Sequence, residues 1–420
     1  MPRSPRPSKN DGLPFYEALK KSRPAHPAEP EKKAWTPPCG IYKKCGGCQM
    51  QNLPYIDQLR WKQSQLQKML GRYGRLPFIL GMDDPTHYRN KMQVAFGCTR
   101  GGKTVSGVWQ AKERRIAVTD SCMLEDPAAA KIAATVRRLL PAFKLTPYDA
   151  ASDRGFFRHL LVRKAEGTGE LMVVLVGASP AFPHKANFAK ALLKAHPEIT
   201  TLVYAVNDSD IELTITGHEE TLFGRGYIED RLCGLVFRIS PRSFYQVNAK
   251  GAALLYNKAM GFADLQGGER VIDAYCGIGT IGLIAAGQAG EVLGIENNPA
   301  AVRDAQQNAK LNQISNIHFV CADAGDYLQK FADDGGSADL LLMDPPRAGS
   351  SRKFLEAAIK LSPEKIVYIS CNPETLARDL QALVRGGYQV KKMQPVDMFP
   401  WTHHIECAVL LQKKGKAPYA

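Results

Sequence analysis

Hydrophobic positions along the chain change their spacing three times. From Tyr55 to about Tyr73, Leu59, Trp61, Leu66 and Leu70 recur at helical intervals, which predicts one helix with those residues on its core face. Between about Tyr88 and Tyr227 the apolar residues fall in short runs separated by turn formers. Met92–Phe96, Val105–Trp109, Leu160–Arg163, Leu171–Leu175, Thr201–Val206 and Glu212–Thr216 read as strands, with two helices among them. That mixture predicts an α+β domain. From about Gly234 onward, Arg270–Asp273, Glu291–Ile295, His318–Cys321, Asp339–Met343, Lys365–Ser370 and Ile405–Gln412 read as strands alternating with helical segments. This alternation predicts a doubly wound, Rossmann-like parallel sheet, whose ligands bind beyond the carboxyl ends of its strands. The expected organisation is a basic tail over 1–38 with a short helix near Phe15–Lys21, a cysteine-bearing segment and central α+β domain over 39–230, and the α/β domain over 231–420. No internal repeat is evident.

Composition adds a partner and a compartment. Hydrophobic content of 45% and charged content of 23% are those of an ordinary globular protein, and 420 residues are enough for two or three domains. No apolar run reaches membrane-spanning length, and the N-terminus has no apolar export signal, so a cytoplasmic protein is expected. A net charge of +14 calls for a polyanionic partner, nucleic acid before any other, against the plainer alternative of a basic surface kept for solubility. Two segments interleave basic and aromatic residues in the way phosphate contact plus base stacking requires: Tyr88–Phe96, and more weakly Phe157-Arg158-His159-Leu160.

Cysteine usage divides in two. Cys98, Cys233, Cys276, Cys321 and Cys407 are isolated and are expected to be small buried residues. Cys39, Cys45 and Cys48 lie close together, Gly46 and Gly47 let their loop bend, and Cys122 supplies a fourth thiol from a distance. Three near ligands and one far one fit a [4Fe–4S] cluster better than a structural zinc site, which more often pairs its ligands two and two.

Candidate chemistry concentrates at the strand ends of the α/β region. Val271-Ile272-Asp273-Ala274-Tyr275-Cys276-Gly277-Ile278-Gly279-Thr280 is a strand running through a glycine turn into a helix. Gly277, Gly279 and Gly282 also fit the phosphate-cradling spacing of a dinucleotide site, so the turn alone leaves the ligand open. Glu296 ends the next strand, where a carboxylate can take two ribose hydroxyls, and Asp323 follows the third, in reach of an adenine edge. Cys371 lies between a strand and a helix, a place expected to lower a thiol pKa and expose the sulfur. On position alone a buried structural cysteine is the commoner outcome. Glu406 starts the last strand, where an ion pair is equally ordinary.

The ordered set Asp344-Pro345-Pro346-Arg347, Ser370-Cys371-Asn372-Pro373-Glu374-Thr375 and Asp397-Met398-Phe399-Pro400…Glu406 resembles the RNA 5-methyluridine methyltransferases, in particular the branch that carries an iron–sulfur cluster and acts on 23S rRNA. The resemblance runs over about residues 39–412. It implies an S-adenosylmethionine methyltransferase fold and RNA as substrate, with no membrane partner. It implies further that Cys371 adds to uracil C6, that Glu406 removes the C5 proton, and that Cys39, Cys45, Cys48 and Cys122 hold a [4Fe–4S] cluster. Gln246, Tyr275, Thr280, Glu296 and Asp344 become donor contacts, with Asp323 added from its position. Asp344 has a second available role in holding the uracil, and Arg347 in orienting a carboxylate or the base. Trp401 stands where relatives usually carry His, Gln or Tyr, and the N-terminal RNA-binding barrel of some relatives is not expected here. Transfer RNA is the alternative target, a non-catalytic RNA-folding factor the alternative class, and nothing demands more than a monomer.

Overall fold

The computed structural model describes residues 35–209 and 215–414. The helix expected near Phe15–Lys21 and residues 212–214 of one expected strand lie outside the described residues. After a short helical turn, α1 (Tyr42–Cys45), comes α2 (Tyr55–Leu70). The buried face of α2 carries Leu59, Leu66 and Leu70 as expected, but its remaining positions belong to Gln58 and Lys62, not to Trp61. Trp61 turns outward and stacks on His403, ring centroids 4.9 Å apart.

The central sheet comprises β1 (Lys91–Cys98), β2 (Thr104–Gln110), β3 (Arg115–Val118), β4 (Phe157–Lys164), β5 (Leu171–Gly177), β6 (Thr201–Val206) and β7 (Glu219–Phe223), in the order β3-β2-β1-β4-β5-β6-β7. All its pairings are antiparallel except β5–β6. Helices α3 (Pro127–Ala142) and α4 (Lys185–Ala195) occur where two were expected, and they cover one face through Ile132, Val136, Phe188 and Leu192. Asp126 caps α3 by accepting from Ala128 N. Residues of the opposite face, Leu161, Met172 and Val174, join a core that continues into the second sheet.

A hairpin, β8 (Ile228–Leu232) and β9 (Leu235–Ile239), connects the two sheets. The second sheet is built from β10 (Arg270–Ala274), β11 (Glu291–Glu296), β12 (Ile317–Cys321), β13 (Leu340–Met343), β14 (Lys365–Ser370), β15 (Tyr388–Val396) and β16 (Glu406–Lys413). Its order is β12-β11-β10-β13-β14-β16-β15. The first five strands are parallel, and β16 inserts antiparallel between β14 and β15, so the sheet is mixed where a wholly parallel one was expected. Strand β15 escapes the pattern because Gln389, Lys391 and Lys392 give it an edge strand's composition. Six helices wrap the sheet: α5 (Ala249–Ala263), α6 (Thr280–Ala286), α7 (Pro299–Leu311), α8 (Ala324–Asp333), α9 (Arg352–Leu361) and α10 (Pro373–Arg385). Leu59, Leu66 and Leu70 of α2 share a core with Leu376, Leu380 and Leu383 of α10. The order of strands reverses between β10 and β13, which opens a crevice at their carboxyl ends. Among the described residues no helix is long and apolar enough to cross a membrane.

Candidate active site

Register alone brings the thiol and the last carboxylate together. Ser370 pairs with Cys407 across the antiparallel β14–β16 ladder, so Cys371 and Glu406, one step further on each strand, face one another. Asp344 follows Met343, the last paired residue of β13 beside β14. Asn372 caps α10 by accepting from Glu374 N, and Pro373 takes the first helical position, so Cys371 sits immediately before a helix N-terminus. Asn372 Nδ2 and Thr375 Oγ1 also donate to the Arg347 carbonyl at 3.1 and 3.3 Å, which fixes the turn after Asp344 against the turn after Cys371.

The electrostatics correct one expectation. The Cys371 thiol is half-buried and is pushed up to about 11, first by burial and then by the Glu406 and Asp344 carboxylates; Arg347 opposes them. Burial, with the two acids added to it, outweighs the helix terminus that was expected to lower it. Glu406, 3% exposed, is raised well above the ordinary carboxylate range by burial and by Asp344, again against Arg347. Burial raises Asp344 to about 7. His404 is depressed to about 4 by burial and by Arg347, so its ring is neutral and accepts from Arg347 Nη2 at 3.1 Å. The cavity therefore holds a protonated thiol beside two carboxyls that ionise late, with Arg347 as the cation that acts on both Cys371 and Glu406.

Across the crevice the glycine turn takes the shape that a close-approaching ligand needs. Tyr275, Gly277 and Gly279 have left-handed backbones, with φ of 64°, 55° and 83°. Gly277 N donates to Glu296 Oε2 at 3.0 Å, and Asn298 N to Oε1 at 2.8 Å, so Glu296 is braced by the backbone of both neighbouring turns. Asp273 accepts from Gly282 N at 2.7 Å, and a Cβ at Gly282 would come within 2.7 Å of the same carboxylate oxygen. Thr280 opens α6, and the Tyr275 ring lies 5.0 Å from Phe354. Asp323 uses Oδ1 to cap α8, accepting from Gly325 N and Asp326 N. The segment Ser240–Asn248 is tied to the central sheet: Asn90 donates from Nδ2 to the Gln246 carbonyl and from its own N–H to Val247, and Arg163 donates to the Ser243 carbonyl.

Sequence reasoning missed Lys62 and Gln58, and quoted Asp397 as part of a motif without giving it a role. All three are fully buried, and Lys62 and Asp397 form an ion pair of 2.7 Å. A lysine inside an otherwise apolar helical stripe was the available signal.

The four cysteines gather around one spot. Cys39 and Cys48 flank α1 and Cys45 is its last residue, after which the chain turns at Gly46 with φ of 73°. Cys48 and Cys122 both pack against the buried group Tyr88, Leu124 and Trp401. Cys45 and Cys48 are raised by burial and by the neighbouring thiols, and Cys122 is pushed up to about 12 by burial, Glu125 and Cys48. Among the described residues, however, no group of three or more His, Cys, Asp or Glu side chains is set to hold a metal ion. Of the isolated cysteines, Cys276 and Cys407 are buried as expected and Cys233 is half-buried. Cys98 and Cys321 are exposed, because each is the last residue of its strand.

Comparison with known proteins agrees with this geometry. Residues 197–414 match the family described as tRNA (Uracil-5-)-methyltransferase. An uncharacterized RNA methyltransferase of Halalkalibacterium halodurans is 41% identical over 383 residues, covering 90% of this chain and 83% of the relative. One from Listeria innocua is 41% identical over 382 residues, with 90% and 84% covered. Among solved structures, the Pyrococcus abyssi tRNA (uracil-54, C5)-methyltransferase in complex with S-adenosyl-L-homocysteine superposes with a TM-score of 0.73 at 27% identity, covering 87% of this chain and 85% of that one. A Rossmann-like donor fold, a family match over half the chain and relatives aligned over most of it lead to one conclusion: the chain belongs to the tRNA (uracil-5-)-methyltransferase family and is an S-adenosylmethionine-dependent RNA (uracil-C5) methyltransferase.

Proposed function

We propose that the protein methylates uridine C5 in 23S rRNA through a covalent adduct, with Cys371 as nucleophile and Glu406 as base. The facing of Cys371 and Glu406 across β14–β16 is the observation that carries this reading. Uracil C5 is too weak a nucleophile to take a methyl group unaided. The Cys371 thiolate adds to C6, and the electron pair of the C5–C6 double bond moves to C5 and the O4 enolate. S-adenosylmethionine supplies the methyl group and brings a positive sulfonium. Glu406 then takes the C5 proton, the double bond re-forms, and the C6–S bond breaks to return the thiolate. Glu296 suits the ribose hydroxyls of the donor, Tyr275, Thr280, Gln246 and Asp344 its remaining edges, and Asp323 its adenine. Arg347, acting on both Cys371 and Glu406, favours the ionised form of each.

The basic groups near this centre that solvent reaches, exposed Arg347 and half-buried Arg89 and Lys91, are the ones offered to RNA, with buried Arg163 and His159 behind them. Arg347 and Arg89 both act on His404, burial together with Arg163 and Arg89 holds Lys91 down to about 8, and Lys91 acts on His159. Lys91 and Arg163 are register partners on β1 and β4. Phe244, 71% exposed within the segment Ser240–Asn248, offers a ring for stacking.

We further propose that Cys39, Cys45, Cys48 and Cys122 ligate a [4Fe–4S] cluster in a structural role. A four-iron cube spreads its ligands more widely than a single ion, which suits four thiols that are neighbours without forming a single-ion site. The cluster favours ribosomal RNA. Transfer RNA is the second reading, favoured by the Pyrococcus abyssi neighbour, whose target is uracil 54 of tRNA.

The test is incubation with labelled S-adenosylmethionine and unmodified large-subunit rRNA, in parallel with unmodified tRNA, followed by nucleoside mass spectrometry with Cys371→Ala as control. Cysteine-dependent 5-methyluridine in rRNA is expected. The same product in tRNA alone would keep the chemistry and overturn the target.

A further inference from the structure

We infer that Lys62 is the positioning residue for Glu406; the inference rests on the reading of Glu406 as the base. Val396 on β15 pairs with Glu406 on β16, so residues 397–405 form the loop that delivers the base to its place. The Lys62 ammonium spans that loop. It donates to Asp397 Oδ1 at 2.7 Å, to the Phe399 carbonyl at 3.1 Å and to the His404 carbonyl at 2.9 Å. These are the loop's first residue, an inner one and its last but one, and together they use all three donors of an ammonium. Gln58, one turn earlier on the same face of α2, accepts from Trp401 N at 2.9 Å through Oε1. Two polar side chains of one buried helix face thus converge on one loop.

A buried ion pair is a poor way to gain stability, since apolar side chains of similar volume do as well or better. What the ammonium adds is direction: three fixed donors that no apolar residue can replace. The charges that act on Glu406 are those of Asp344 and Arg347, so Lys62 works through the backbone of the loop and not by its field at the carboxylate. Other groups hold the rest of the loop, among them Asn248, whose Nδ2 donates to the Met398 carbonyl at 2.9 Å. Gln49 and Met50 donate their N–H groups to the Trp401 carbonyl, Tyr88 its hydroxyl to Pro400, and Trp401 Nε1 reaches Pro85. The segment that bears Cys48 is therefore fastened to the residues that place the base.

The test compares Lys62→Met, Lys62→Met/Asp397→Asn and Glu406→Gln with the unmodified enzyme, on the RNA that the unmodified enzyme methylates. Turnover, KM, thermal midpoint and the amount of methylated, denaturant-resistant protein–RNA adduct are read for each. A base displaced by even an ångström should cost about 10²-fold in turnover with little change in KM. Lys62→Met is expected to lose that much and to accumulate methylated adduct, as Glu406→Gln does. The double variant, which leaves no unpaired charge, is expected to regain its thermal midpoint but not its turnover. Recovery of full turnover in the double variant would overturn the inference, leaving Lys62 a mere counter-charge. A folded Lys62→Met protein that forms no adduct would also overturn it, by placing the effect at the thiol. If Glu406→Gln itself turns over normally, the assignment of the base fails, and the role of Lys62 fails with it.

Discussion

The two halves of the crevice are built on opposite plans. On the donor side, each carboxylate is braced by backbone close to it in the chain or one strand away: Asp273 by Gly282, Glu296 by Gly277 and Asn298, Asp323 by Gly325 and Asp326. On the acceptor side, Glu406 depends on a loop held by Asn248 and, from more than three hundred positions earlier, by Gln49, Met50, Gln58, Lys62 and Tyr88. Local bracing tolerates change elsewhere in the molecule. Remote bracing makes the chemistry of the last strand hostage to the first helix.

Substitutions should expose this difference, and the largest effects belong to the acceptor side. Cys371→Ala should abolish both methylation and adduct, a loss on the order of 10⁶-fold as when other covalent nucleophiles are removed, measured by methyl incorporation. Glu406→Gln should lower turnover by about 10²- to 10⁴-fold, the range of general base catalysis, and trap the methylated adduct on denaturing gels. The same variant removes a carboxylate that raises Cys371, so the pH profile of adduct formation should move to lower pH; an unmoved profile would disconnect the two groups. In the unmodified enzyme both groups are raised and both must be deprotonated to act. The single-turnover rate should therefore climb from acid through neutral pH and keep climbing above pH 8, toward the thiol value of about 11.

Donor-side changes should be smaller and should leave the thiol alone. Glu296→Ala should weaken S-adenosylmethionine binding by about 10- to 100-fold, the scale of one charge-assisted hydrogen bond, as read by calorimetry. Asp323→Ala should cost about 1 kcal/mol of stability through the lost cap of α8, as read by denaturant unfolding. Unchanged donor affinity in that variant would leave Asp323 a cap alone, and weakened affinity would support its adenine contact.

The same contrast decides what the sequence could disclose. Strands β10 to β14 and the turn at Gly277–Gly279 follow from short-range pattern, since each strand centres on apolar residues and alternates with a helical segment, and the turn is closed by residues nearby. Strand β15 was illegible because its exposed Gln389, Lys391 and Lys392 carry no alternating signature. The hairpin β8–β9 was hidden by the charges of Glu229 and Arg231. Lys62 drew no reading in the α2 stripe, and only the fold reveals three acceptors around its ammonium. The pKa of Cys371 was misjudged for the same reason. The helix after it is visible in the sequence, whereas the carboxylates across the sheet are not.

The placement of β16 sets a timetable. It is made after β15, yet it must enter the sheet between β15 and β14. While the ribosome is still adding residues, the chain has its thiol, its glycine turn and the lysine on α2, but a gap stands where the base-bearing strand belongs. An enzyme whose base arrives on a strand made after its thiol cannot complete turnover on RNA until that strand has entered the sheet.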